Sequence, residues 1–181
     1  MRLEDSLFPP QTFTRTVFID QDFTSAQMED IQRSLQEWEN ATHNVIHFDI
    51  IPSFNHNFDA VLALHQKSLI ILNYPSDTPL IRHEDQAVQE EFNDPTLWIN
   101  AYYDGDQPTP TIYVISERIL GREAFISVVE HEIGHSLGLE HNMKEGTLMY
   151  PIQGKSAHHI TSDDIKEYCK LHYCDPELKK E

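Results

Sequence analysis

His131-Glu132-Ile133-Gly134-His135-Ser136-Leu137-Gly138-Leu139-Glu140-His141 carries three histidines at spacings that converge only if the chain is first helical and then turns. Residues four apart on a helix share a face, so His131 and His135 can aim a ring nitrogen at the same ion. Glu132 follows His131 directly, beside that ion but not among its ligands, where a carboxylate can take a proton from a metal-bound water. Gly138 lets the chain leave the helix through a left-handed conformation and turn sharply. His141, just past the turn, can swing back as third ligand.

Three protein ligands leave a fourth tetrahedral position open, the mark of a catalytic rather than a structural zinc. Bound zinc lowers the pKa of its water to about 7 and polarises a carbonyl, and a placed general base adds roughly 10²–10⁴-fold. The implied reaction is hydrolysis of an amide. The plainer reading, a core helix that happens to carry histidines, is weakened by Gly138, by His141, and by a second element downstream, Gly146-Thr147-Leu148-Met149-Tyr150-Pro151.

That second element resembles the Met-turn of the metzincins, a methionine-bearing loop beneath the metal. Together the two motifs are similar to the matrixins, the matrix-metalloproteinase branch of that clan, and Ile160-Thr161-Ser162-Asp163-Asp164-Ile165 resembles the matrixin opening of the last helix. The resemblance implies an α/β (α+β) metzincin-like fold: a twisted mixed sheet of about five strands with a backing helix and the zinc helix, above a small lower subdomain with the Met-turn and a C-terminal helix. It implies one catalytic Zn²⁺ on His131, His135 and His141, Glu132 as general base, and protein or peptide substrates. Met149 would floor the site, and Asp163 and Asp164 would brace the Met-turn from behind. Tyr150, Pro151, Ile152 and Gln153 would line the pocket for the residue after the scissile bond, with Gln153 where matrixins usually have tyrosine. A medium or large apolar side chain is expected there. Tyr150 follows Met149 directly and is not expected to ligate zinc. The alternative reading is a zinc-stabilised protein-binding module that cleaves nothing measurable; Glu132 argues against it, because a structural site has no use for a base.

The ion-binding loop that usually precedes the catalytic helix in matrixins has no match here. His43, His47, His56, His65, His83, His158, His159 and His172 are therefore read as surface or packing residues. Asp104-Gly105-Asp106 offers two carboxylates, short of the roughly six to eight oxygens that calcium takes, so a hairpin turn is the better reading and calcium is unsupported. The zinc-blocking cysteine of matrixin propeptides is also missing, and Asp5 is a weak substitute.

At 181 residues the chain suits one catalytic domain: an arm over 1–15, then a single metallopeptidase unit over 16–181, with an upper subdomain over 16–138 and a lower one over 139–181. A monomer is expected. The net charge of −17 and pI near 4.9 disfavour nucleic acid and anionic membranes as partners, since both repel an acidic chain. Residues 1–10 hold acids and prolines where a secretory signal would be apolar, so the expectation is a protein that stays inside or a mature secreted form. That favours free thiols at Cys169 and Cys174; a bridge between them would require the last helix to end near His172.

Along the chain, Thr16–Asp20 reads as a strand. A helix capped at Phe23-Thr24-Ser25 follows, with Met28, Ile31, Leu35 and Trp38 on its core face through about Thr42. Val45–Ile51 reads as a strand closed by Pro52, and Phe58–Leu64 and Ser68–Tyr74 compete for the third core strand. Residues 75–96 look like a polar insertion with a short helix over His83–Phe92. Trp98–Tyr103 and Thr111–Ile115 read as strands around the Asp104 turn, the former as the cleft-edge strand that pairs with substrate. The zinc helix spans about Arg122–Leu137, and Thr161 with Asp164 caps a last helix to about His172.

Overall fold

Val17 and Ile19 are fully buried and Phe18 nearly so, a continuous apolar run that fits a strand covered on both faces. The computed structural model describes residues 12–55 and 68–174, and this run lies in β1 (Phe13–Asp20), with parallel neighbours on both sides. The elements that follow are α1 (Ser25–Ala41), β2 (Ile46–Phe54), β3 (Ser68–Asn73), α2 (Pro79–Phe92), β4 (Ala101–Asp104), β5 (Thr111–Val114), a 3₁₀ turn (Ser116–Arg118), α3 (Arg122–Ser136) and α4 (Ser162–His172). The sheet order is β2-β1-β3-β5-β4, parallel except for β4, which pairs antiparallel with β5. This is the mixed five-stranded α+β arrangement that the resemblance implied.

Alternation along the strands divides the core. Val17, Ile19, Ile46, Phe48, Leu69, Ile71, Ile112 and Val114 face the helices, while Phe18, Phe54 and Ile70 form a small cluster on the other side. Thr24 and Gln27 make the capping box that starts α1, and Ile31, Leu35 and Trp38 join Phe125, Val129 and Ile133 of α3 in the main cluster. Two polar contacts fix these helices together. Trp38 donates its indole N–H to the Glu130 carbonyl at 2.9 Å, and Arg122 forks onto the buried Asp30 carboxylate at 2.6–3.0 Å.

Several boundaries moved, each for a local reason. β1 starts at Phe13, where its N–H donates to the Val45 carbonyl, so the chain is already paired within the expected arm. β2 runs through Pro52 to Phe54 because it is an edge strand, where a missing N–H need not break a ladder. Residues 98–100 precede β4, and Trp98 is 61% exposed. The helix in the insertion is longer than its periodicity showed, since Thr78 caps it and Pro79 opens it. The Asp104 turn joins β4 to β5, and the Asp104 carboxylate accepts from the Asp106 N–H at 3.0 Å and from Gln107 at 2.8 Å. Phe58–Leu64, Asp5, His56 and His65 lie outside the described residues.

The expectation of free thiols is overturned: Cys169 and Cys174 form a disulfide. α4 stops at His172, Tyr173 takes a left-handed conformation, and the Cys174 N–H turns back onto the Cys169 carbonyl at 3.1 Å. That turn brings together two residues that a continuous helix would hold apart.

Candidate active site

Gly138 decides how the site assembles. It sits at φ +93°, and the Leu139 N–H reaches back to the Gly134 carbonyl at 3.1 Å, the closing bond of a Schellman turn. The reversal leaves the Leu139 carbonyl 2.8 Å from His135 Nδ1. A carbonyl only accepts, so Nδ1 carries the proton and Nε2 of His135 is free to bind a metal. His131 is oriented in the same way, its Nδ1 donating to the Leu148 carbonyl at 2.8 Å. Ring centroids of His131, His135 and His141 lie 4.8–5.4 Å apart, and one nitrogen from each falls within 4.8 Å of the others. Zinc–nitrogen bonds of about 2.0–2.1 Å in tetrahedral geometry need nitrogens roughly 3.4 Å apart, so small ring rotations bring the set onto one ion.

Burial holds the His131 and His135 pKa values down at about 3 and about 4, and lowers that of His141. All three are thus neutral imidazoles near neutral pH, the form that binds a metal. Glu132 is 7% exposed, and burial pushes its carboxyl up, opposed by a hydrogen bond from the Tyr103 amide of β4; a cation held by the adjacent histidines would oppose burial further and favour the carboxylate that can accept a proton.

Beneath these rings runs the segment 146–151. Asp164, 1% exposed, accepts from the Leu148 and Met149 amides at 3.1 and 3.2 Å and from its own cap residue Thr161 at 2.8 Å. Since the Leu148 carbonyl holds His131, the carboxylate acts on the ring through one peptide. Asp163 does not share this role. Adjacent helical positions point about 100° apart, and Asp163 instead pairs with Lys144 at the base of the loop. Met149 is buried against α3, and a Cβ added to Gly134 would lie 2.6 Å from its sulfur.

The three histidines and Glu132 open into a cleft of about 620 Å³, and Tyr150, Pro151, Ile152 and Gln153 line it, as do Asn100 to Tyr103 opposite. Asn100 donates its side-chain N–H to Gln153 across the two walls. β4, not the whole of 98–103, is the edge strand over the cleft. Outside the site, His47 pairs with Glu39 at 3.0 Å, His172 bonds the Leu137 carbonyl at 2.8 Å, and His159 stands 3.8 Å from Glu123 and Glu130.

Sequence reasoning missed three contributors. Gly134 permits the close approach of Met149. Arg15 donates to the last-turn carbonyl of Ser136 at 2.6 Å and so fastens the end of α3 to the sheet. The third is α2, which forms a wall of the cleft through Glu84, Ala87, Val88 and Glu91; their helical spacing was the available signal.

The family model for matrixin matches residues 12–173. The chain belongs to the matrixin family. Matrixins are zinc metallopeptidases, and the three imidazoles fit the metal that this membership implies. This matrixin is 36% identical to mouse stromelysin-1 over 70 residues, covering 36% of this chain and 13% of that protein. Metalloproteinase-II from Bacteroides fragilis shares the fold with a TM-score of 0.53 and 13% identity, over 89% of this chain and 53% of that one. The archaemetzincin of Methanopyrus kandleri has the same TM-score of 0.53 at 11% identity, over 91% and 98% of the two chains. Among the described residues no helix is long and apolar enough to cross a membrane.

Proposed function

We propose that this matrixin is a zinc endopeptidase in which His131, His135 and His141 hold Zn²⁺ and Glu132 is the general base. The observation that carries the reading is the convergence of three neutral imidazoles, two with Nδ1 already fixed on carbonyls, beside a buried carboxylate in an open cleft. Zinc bound there supplies a Lewis acid and a water that ionises near neutrality.

The chain's own groups do the rest. Glu132 accepts the proton of the attacking water and returns it to the departing amine, and its burial keeps competing solvent away. An extended peptide is held by strand addition along β4, whose outer edge has no strand neighbour among the described residues. The half-buried Ile152 and Pro151 and the buried Tyr150 receive the side chain after the scissile bond. Gly138 supplies the turn that delivers His141, Asp164 steadies the Met-turn, and Met149 packs under the rings without taking part in chemistry. Asp163 pairs with Lys144 and Lys166 instead. The whole of 16–181 acts as one catalytic unit, cut by the cleft into parts at about 16–138 and 139–181.

A quenched-peptide assay with and without a chelator tests this. Cleavage that stops on chelation and returns with zinc is expected. A protein that holds zinc stoichiometrically yet cleaves neither casein nor a diverse peptide pool would make the binding-module reading the correct one.

A further inference from the structure

The wall formed by α2 differs in charge from an ordinary peptide cleft. Glu84, Ala87, Val88 and Glu91 line the cavity, and among the described residues its lining contains no lysine or arginine. Among the described residues neither Glu84 nor Glu91 makes a hydrogen bond or an ion pair with a lysine or arginine. The residue between them that does is Asp85, whose carboxylate takes two bonds of 2.8 Å from Arg118 and one of 2.9 Å from the Ile99 N–H. Ile81, fully buried, and Gln89, which donates to the Leu97 carbonyl at 2.8 Å, complete the attachment. The helix is therefore clamped through one set of side chains while the two glutamates face the cleft.

Their positions can be placed from the cavity they share. Glu84 and Glu91 line it together with Tyr102 of β4 and His141. Seven residues of helix separate them by about 10 Å, the length of roughly three residues of extended peptide. Trp98, 61% exposed and lining the same cavity, adds an aromatic surface for the alkyl stem or charged head of a long cation. Carboxylates on a low-dielectric wall focus their field on whatever passes beside them.

We propose that Glu84 and Glu91 are specificity-determining residues that make this cleft select peptides with lysine or arginine within a few residues of the scissile bond. The inference rests on the protease reading of the cleft. It concerns recognition rather than the reaction, so the two can fail separately.

The test compares three matched peptide sets, bearing Lys or Arg, Gln, or Glu at each position around the cleavage site, on the wild type and on Glu84→Gln/Glu91→Gln. The wild type is expected to prefer the basic set. The double variant is expected to lose about three- to tenfold in kcat/KM on that set, the strength of two exposed ion pairs, and little on the Gln set. Asp49→Asn/Glu29→Gln removes two exposed charges, Asp49 lying on the edge strand β2 at the far end of the sheet from β4, and should leave the preference intact. Fluorescence anisotropy of a labelled Lys/Arg peptide and its Gln counterpart on Glu132→Ala measures the same selectivity without turnover, so it gives an answer even if nothing is cleaved. No basic preference in either readout, or one that survives Glu84→Gln/Glu91→Gln or falls equally in the Asp49/Glu29 control, overturns the proposal.

Discussion

Replacing Gly134 with alanine should damage zinc binding although the residue touches no metal. An alanine in mid-helix is ordinarily favourable by about 1 kcal/mol over glycine, and Gly134 has no positive φ to forbid it. Its added Cβ, however, would meet Met149 Sδ at 2.6 Å, Trp38 Cζ2 at 3.2 Å and Met149 Cε at 3.3 Å. Sulfur and carbon need more than 3 Å, and neither neighbour can retreat into solvent, since Trp38 is fully buried and Met149 is 2% exposed. Overpacking of this kind costs about 1–3 kcal/mol, so the net change should be a loss of roughly 0–2 kcal/mol. The effect on the site should be larger. Met149 is joined by a peptide bond to Leu148, whose carbonyl orients His131, and disturbing such an outer partner costs about 10–100-fold in metal affinity. Competition against a chromophoric chelator measures this, with urea denaturation of the metal-free protein run in parallel. Met149→Ala in the Gly134→Ala background should recover part of the affinity by removing the clash. A Gly134→Ala protein about 1 kcal/mol more stable than wild type, with zinc affinity unchanged, would refute the packing argument.

Asp164→Ala strands the buried Leu148 and Met149 amides, each costing about 1–3 kcal/mol when unsatisfied, and should lower the denaturation midpoint sharply. Asp163→Ala, which loses ion pairs with the exposed Lys144 and Lys166, should change stability by less than about 1 kcal/mol; equal effects from the two would contradict the division of roles between them. Reducing the Cys169–Cys174 bridge, which spans a sequence separation of 5, should cost at most about 2 kcal/mol, read as a drop in Tm on adding reductant while zinc binding persists.

The central helix, its turn and the closing helix were legible because each is dictated locally. His131, His135, Gly138 and His141 are tied by helix geometry and one left-handed residue, and Thr161 with Asp164 carries its own capping signature. What stayed hidden depends on contacts between segments far apart in sequence. Nothing near Gly134 announces that Met149 will press against it, or that the Leu148 and Leu139 carbonyls will set the histidine tautomers. The wall over 79–92 looked like an insertion because its polar residues are conspicuous, whereas its attachment runs through Asp85 to Arg118, 33 positions away. The Cys169–Cys174 bridge is hidden because it depends on a left-handed turn at Tyr173, a conformation that a bulky side chain seldom adopts. The different parts of Asp163 and Asp164 are hidden in contacts made further along the chain: only Asp164 meets the Leu148 and Met149 amides, while Asp163 meets Lys144.

Glu132 is where the account is most exposed. Glu132→Ala removes the base and leaves all three imidazoles, and the carbonyl anchors of His131 and His135, in place, so one preparation can be assayed for bound zinc and for peptide cleavage together. With Glu132 as base, the variant should hold near-stoichiometric zinc with kcat/KM down by at least about 10²-fold. Zinc retained with peptidase activity close to wild type would contradict it.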